Sequence, residues 1–222
     1  MLDSLFRPRS VAVMGASSKT LSIGNRVVKN LLDHNFKGPI YPINPKEPEI
    51  LGLKAYPSIL DVPGTVDLVT IAVKSTMVPR MVEECGQKGV KFVIIHTAGF
   101  REMGGEGAKL EDELLETARR YGIRVYGPNC QGIMNSDPEV SVYANFTFTP
   151  MRPGNASILA QSGGVAELIN LNLRKMGSGF RKYASQGNAS DVSTNELLNH
   201  LGDDPETKTI IMHIESMKDT RA

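Results

Sequence analysis

Three runs in this sequence combine glycine, small hydroxyl or amide side chains and lysine in the way that anion binding requires. The first is Gly15-Ala16-Ser17-Ser18-Lys19, with Gly24 beyond it. It follows an apolar run and precedes a helical pattern. Glycine lets the backbone approach a phosphate, and a helix start offers free N–H donors and a partial positive charge. The run is not Gly-x-Gly-x-x-Gly, so the dinucleotide fingerprint is matched only in part; a tight strand-to-helix turn is the other reading. The second is Asn44-Pro45-Lys46. A nicotinamide-dinucleotide site usually carries Asp or Glu near this place. Lysine instead suits a phosphorylated ribose, or is an exposed loop residue. The third, Gln161-Ser162-Gly163-Gly164, again lies between a strand-like and a helix-like run. Two anion cradles at corresponding places are more informative than either alone. Ala160 replaces the first glycine of Gly-x-Ser-x-Gly, which argues against Ser162 as a hydrolase nucleophile.

Three further clusters carry reactive or polar groups. In His96-Thr97-Ala98-Gly99-Phe100, followed by Gly104-Gly105-Glu106-Gly107, the glycines suggest a mobile loop bordering a pocket. His96 has no assignable carboxylate partner, so a buried or rim histidine is favoured over an acid–base role. In Gly127-Pro128-Asn129-Cys130-Gln131-Gly132, Cys130 is a nucleophile only where a neighbour lowers its pKa. None is visible, so Asn129 and Cys130 are expected to line a pocket. The polar loop 185–191 either faces that pocket or is a solvated turn. Glu215 ends the last apolar run, where a carboxylate could hold a cationic or histidine partner or lie in solvent.

These groups need elements to hold them, and strand-like and helix-like runs alternate. Strands are expected at 10–14, 39–43, 66–73, 91–96 and 124–126, and helices at 23–34, 76–88 and 109–121. The near-continuous apolar strands suit a parallel sheet buried on both faces. The order argues for a doubly wound α/β fold, whose ligands bind outside the carboxyl ends of the strands. Four of those five ends are rich in Gly, small polar residues or Lys, which makes a ligand shelf. Residues 137–155 break the rhythm and read as a linker between a first domain at 1–136 and a second at 156–222. The second offers three strands and two helices, fewer than a doubly wound domain usually needs.

The composition sets outer limits. The 222 residues suit one large or two small domains. Lys plus Arg minus Asp plus Glu is 25 − 24 = +1, which argues against a strongly basic nucleic-acid binder. Two cysteines make no disulfide framework, and no Cys/His cluster has metal spacing. No apolar run approaches the roughly 20 residues that span a bilayer. A cytoplasmic protein with no membrane or nucleic-acid partner is expected.

Four stretches resemble, in order, the nucleoside-diphosphate-forming acyl-CoA synthetases, the family of ADP-forming acetate–CoA ligase and of the succinyl-CoA synthetase α subunit. They are the run from Pro8 to Ser17, Tyr41-Pro42-Ile43-Asn44-Pro45-Lys46, Gly127-Pro128-Asn129-Cys130 and Gln161-Ser162-Gly163-Gly164. The resemblance implies a Rossmann-like CoA-binding domain followed by a flavodoxin-like ligase domain. It implies that coenzyme A or acyl-CoA lies on the shelf. Gly15, Ala16, Ser17, Ser18, Lys19, Lys46, Val73, Lys74, Ser75, Thr97, Ala98 and Gly99 would contact its nucleotide and pantetheine, and Asn129 and Cys130 would lie near its thiol. Ser162 and Gly163 would bind a phosphoryl group, and Glu215 would support the histidine that carries it. In the family that histidine follows the last strand in a Ser-His-Thr-Gly-like segment. None of His34, His96, His200 and His213 has this context, and no ATP-grasp domain is visible. The expectation is the CoA-binding portion of an ADP-forming acyl-CoA synthetase. An ATP-grasp domain or subunit would supply the ATP, ADP and Mg chemistry, and the chain alone would not complete catalysis. The alternatives are a CoA-binding regulatory domain of a protein lysine acyltransferase and a standalone CoA- or nucleotide-sensing module. An NAD enzyme is least favoured, because no acidic residue is seen after the second strand. A truncated sheet edge carries a risk of self-association into a homo-oligomer.

Overall fold

The computed structural model describes residues 2–216. The first half runs α1 (Asp3–Phe6), β1 (Val11–Met14), α2 (Ile23–Asp33), β2 (Ile40–Ile43), the hairpin β3 (Glu49–Ile50) and β4 (Leu53–Lys54), β5 (Leu68–Ile71), α3 (Val78–Lys88), β6 (Phe92–Ile95), α4 (Gly105–Tyr121) and β7 (Arg124–Tyr126). Strands β1, β2, β5, β6 and β7 form one parallel sheet in the order β2-β1-β5-β6-β7. Its apolar runs are continuous because both faces are covered. Val11, Val13, Phe92 and Ile94 join one core cluster, while Ala12, Met14, Val93 and Ile95 join the other. The strand order reverses between β1 and β5, and that switch point is where a doubly wound sheet opens a crevice.

The second half runs β8 (Gly132–Asn135), β9 (Val142–Asn145), β10 (Pro153–Ala160), α5 (Gly163–Lys175), β11 (Phe180–Ser185), α6 (Thr194–Gly202) and β12 (Thr209–His213). Its sheet has five strands in the order β12-β10-β11-β8-β9. The three expected strands are its parallel part. Strands β8 and β9 add an antiparallel pair, so the segment expected as a linker contributes a fully buried strand to this sheet. Helix α2 of the first half packs on β9. The Asn30 amide donates to the Asn145 and Thr147 carbonyls at 2.8 and 3.0 Å, and His34 Nε2 accepts the Met151 N–H at 3.0 Å. One apolar cluster joins Phe6, Val27 and Leu31 to Ile133, Val142 and Leu197, so the two sheets share a core.

The glycines expected as a mobile loop instead open α4, which starts at Gly105. A Cβ on Gly107 would stand 2.1 Å from the Phe100 carbonyl oxygen, so the glycine lets the helix start sit on the preceding turn. Among the described residues, no helix is long and apolar enough to cross a membrane.

Candidate functional site

The turn after β1 is wedged at the switch point. Gly15 has φ +87°, and a Cβ there would stand 2.3 Å from the Ala72 carbonyl oxygen at the end of β5. A Cβ on Gly24, in the first turn of α2, would stand 2.0 Å from the Gly15 carbonyl oxygen. The two glycines therefore bring strand end and helix start into backbone contact, as a phosphate cradle requires. Side chains pin the turn from both sides: the Asn25 amide donates to the Ser17 carbonyl at 2.7 Å and the Asn44 amide to the Ala16 carbonyl at 2.8 Å. Ala16 is buried, Gly15 and Ser17 are partly buried, and Ser18, Lys19 and Lys46 are exposed. An acidic residue after β2, unseen in the sequence reading, is present as Glu47. Its carboxylate accepts the Ser18 N–H at 3.0 Å and the Asn44 amide at 3.1 Å. Hydrogen bonding from Ser18 holds the Glu47 carboxyl below its ordinary pKa, so an anion already sits against this turn.

The ends of β5 and β6 continue the shelf. The Thr97 hydroxyl donates to the Val73 carbonyl at 2.7 Å. Gly99 lies at φ +104°, and a Cβ there would stand 3.0 Å from Ser75 Oγ. Ser75 and Gly99 line, with Glu106, Gly107 and Lys109, an open cavity of about 380 Å³. Lys74 and Ala98 are exposed beside them. Glu102, which sequence reasoning missed, accepts the Gly99 and Phe100 N–H groups at 2.6 and 3.1 Å.

The turn after β7 carries Asn129, exposed at φ +58°, whose N–H donates to the Thr97 carbonyl at 3.0 Å. The Cys130 thiol points inward, 3.4 Å from the Ile95 carbonyl oxygen. Burial pushes its pKa up, so it stays protonated and is no nucleophile. His96 is buried as well. Its Nδ1 donates to the Cys130 carbonyl at 3.2 Å, and burial lowers its pKa to about 4.

That neutral histidine has a measurable consequence. Its folded pKa lies below its unfolded one, so the unfolded chain takes the proton first. Stability is then complete above about pH 6.5 and falls as the pH drops toward 4, by up to about 1.4 kcal/mol per pH unit. Burial lowers the pKa of His34 and His200 too, with the same sign. Urea unfolding at pH 7 and pH 5 should show the loss, and His96→Gln should reduce it; equal losses in both proteins would remove His96 as its source.

The loop after β11 closes over this turn. Asn188 and Ser190 donate their N–H groups to the Pro128 and Gly127 carbonyls, each at 3.0 Å. The Asn188 amide reaches Glu102 at 2.6 Å and Glu111 at 3.1 Å. The loop 185–191 thus faces the shelf and is no free turn.

The second of these strand-to-helix turns lies at the end of β10. Ser162 caps α5, its Oγ accepting the Val165 N–H at 3.4 Å. Gly163 and Gly164 follow, where helix amides have no partner within the helix. Gln161 ties in the chain after β12: its Oε1 accepts the Glu215 and Ser216 N–H groups at 2.7 and 2.9 Å. This sets the exposed Glu215 beside that turn. Gln131 lies across Gly163, where a Cβ would stand 2.6 Å from its Cγ. The structure therefore places Gly15 to Lys19, Lys46, Val73 to Ser75 and Thr97 to Gly99 along one sheet edge. It places Ser162, Gly163 and Glu215 at the edge of the other, with Asn129, Cys130 and Gln131 leading from one to the other.

Comparison with known proteins bears on both edges. Residues 9–136 match the family model of the CoA binding domain, and residues 153–222 match that of the succinyl-CoA ligase like flavodoxin domain. The α subunit of ADP-forming acetate–CoA ligase II from Pyrococcus furiosus is 44% identical over 222 residues, covering 100% of this chain and 48% of that protein. The dinucleotide-forming acetyl-coenzyme A synthetase 1 of Ca. Korarchaeum cryptofilum, solved with phosphate and ADP, superposes with a TM-score of 0.93 at 36% identity, covering 100% of this chain and 47% of that one. The crystal structure of PH0766 from Pyrococcus horikoshii OT3 superposes with a TM-score of 0.93 at 43% identity, covering 99% of this chain and 49% of that one. The chain thus spans about half the length of these three relatives. With more than half of its residues in the first matched model and most of the rest in the second, the chain belongs to the CoA-binding domain family, continued by a flavodoxin domain of the succinyl-CoA ligase type.

Proposed function

We propose that this chain is the CoA-binding part of an ADP-forming acyl-CoA synthetase, which converts acyl-CoA, ADP and phosphate into a carboxylic acid, CoA and ATP through an acyl phosphate and a phosphohistidine. The observation that carries the reading is the pair of amide-lined helix starts at the two sheet edges, joined by the turn from Asn129 to Gln131. CoA would lie along the first edge, its phosphates near the turn from Gly15 to Lys19 and near Lys46, its pantetheine passing Val73 to Ser75 and Thr97 to Gly99. Its thiol end would reach Asn129 and the backbone of Cys130. The phosphoryl group would sit on the α5 start, where Ser162 fixes the turn and the Gly163 N–H donates. Stabilising phosphoryl transfer needs fixed donors where charge develops more than it needs a strong side-chain base. Glu215 would hold the phosphate-carrying histidine. His96 is buried and neutral, His34 is engaged at both ring nitrogens, His200 stacks on Phe6 and His213 lies within β12, so none of them is offered to that role. An ATP-grasp domain or subunit would supply the nucleotide and its Mg.

Calorimetric titration with CoA, dephospho-CoA and NAD tests the first edge. CoA should bind, and loss of the 3′-phosphate should weaken it by roughly tenfold, the worth of one charged hydrogen bond. Lys46→Ala should cost CoA about as much while leaving dephospho-CoA unchanged, because the two changes remove the same contact. Binding of NAD in preference to CoA would refute the reading and give Glu47 the role of a ribose ligand.

A further inference from the structure

The amide of Gln131 occupies a position that the two edges share. It follows Cys130 directly, so it continues from the proposed thiol end of CoA. Its side chain crosses Gly163, where a Cβ would stand 2.6 Å from Cγ and 3.0 Å from Nε2. A residue larger than glycine at 163 would therefore displace Gln131. The Tyr183 hydroxyl, from β11, donates to Gln131 Oε1 at 2.6 Å. The Gln131 N–H is held in turn by Ser185 Oγ at 3.3 Å. With its oxygen taken by Tyr183, the amide is fixed in orientation, and its NH₂ group lies on the side toward Gly163. Among the described residues, no partner takes those two N–H bonds.

We propose that Gln131 is the residue that recognises the acyl group, its Nε2 donating to the thioester carbonyl oxygen of acyl-CoA. This rests on the CoA reading and deepens it. Asn129 and Cys130 bring the sulfur to one side of Gln131, and the α5 start brings phosphate to the other. The carbonyl carbon must lie between them, within reach of an amide anchored at this point. When a phosphate oxygen bonds to that carbon, the π pair of the carbonyl moves onto its oxygen. Collapse re-forms the carbonyl, breaks the C–S bond and releases CoA as its thiolate, leaving the acyl phosphate. A fixed N–H donor at that oxygen is worth more in the tetrahedral species than in the thioester. Tyr183 is a positioning residue that acts through Gln131, because a rotated amide would present its oxygen to an oxygen.

The test compares CoA with acetyl-CoA by calorimetry on this chain. Gln131→Glu keeps the shape and an acceptor for Tyr183 but turns the donor into an anion. Gln131→Leu removes the amide altogether. Both should weaken acetyl-CoA by roughly fivefold, the worth of one neutral hydrogen bond, with CoA within about twofold of wild type. Tyr183→Phe should weaken acetyl-CoA less than either, with CoA again unmoved. Parallel weakening of both ligands would make Gln131 a structural residue, and unchanged acetyl-CoA binding in Gln131→Glu would remove the contact. Either result overturns this proposal while leaving CoA binding in place. A wild-type chain that binds neither ligand would overturn the CoA reading and this one with it.

Discussion

Gly24→Ala should destabilise the protein by about 2 kcal/mol and abolish CoA binding, although it places a better helix former inside a helix. The sign is decided by two magnitudes. Alanine in place of glycine favours a helix by about 1 kcal/mol. Overpacking a close-packed site costs about 1–3 kcal/mol and occasionally more. Here the new Cβ would stand 2.0 Å from the Gly15 carbonyl oxygen and 2.9 Å from Ala16 Cα, all backbone, with no flexible side chain to yield. Gly15 cannot retreat, because its own Cα faces the Ala72 carbonyl. The strain must therefore open the turn between β1 and α2, the cradle assigned to the ligand. Gly202→Ala is the control. That residue ends α6 with open space around it, so the same substitution should be neutral or stabilising by up to about 1 kcal/mol. Urea midpoints and a CoA titration of both variants check the expectation. A Gly24→Ala protein as stable as wild type would mean that the turn is not held by this contact.

Much of the first sheet was legible because its physics is local. The runs VAVM, LVTI and FVII are apolar at nearly every position, and a parallel strand covered on both faces has no other pattern available. Helix α2 announces itself by Ile23, Val27, Val28 and Leu31 at helical spacing, and the structure adds the Ser22 cap at its start. The two strand-to-helix turns proposed to hold anions were legible for the same reason, since glycine and serine between a strand and a helix mark such a turn. What stayed hidden depends on partners distant in the chain. Strand β8, GIMN, reads as the tail of a turn, and it becomes a strand only by pairing with β11, more than forty residues on. Strand β9 lies inside the stretch expected as a linker, because a short apolar run does not say which sheet it will join. The start of α4 was misread because glycine lowers helix propensity, whereas Gly107 is required by the approach of the Phe100 carbonyl. The carboxylates were the hardest to see. Glu47, Glu102 and Glu111 look like solvated charges in sequence, and only the folded loops show backbone and amide donors converging on them. Gln131 is a similar case, since its orientation is set by Tyr183, which lies in another strand.

Glu111 is where those hidden contacts should matter most, and Glu111→Ala is expected to cost about 3 kcal/mol and to loosen the loop that closes the shelf. The residue lies on α4 with its side chain only 1% exposed. Oε1 accepts from the Ser190 hydroxyl at 2.7 Å and from Arg101 Nε at 3.1 Å, while Oε2 accepts from the Asn188 amide at 3.1 Å and the Arg101 N–H at 3.2 Å. One carboxylate thus ties helix α4, the turn before it and the loop 185–191 of the other half. Breaking a buried charge pair costs about 3–5 kcal/mol, and the lower figure applies here because Arg101 is about half exposed and water replaces part of what it loses. Asp112→Ala provides the contrast. Asp112 also contacts Arg101, but its side chain is 67% exposed, so its loss should stay within about 1 kcal/mol. Burial works against ionisation of Glu111, yet the hydrogen bonds from Ser190, Asn188 and Arg101 outweigh it and hold the carboxyl below its ordinary value. Its contribution is therefore present above the unfolded pKa and lost as the pH falls through the folded one. Hydrogen exchange should show faster exchange at Asn188 and Ser190 in Glu111→Ala, whose N–H groups now close on the Pro128 and Gly127 carbonyls. CoA affinity should fall with it, since that turn carries Asn129. If Asp112→Ala released the loop as readily, the docking would rest on Arg101 and the surface charge around it and not on the buried carboxylate.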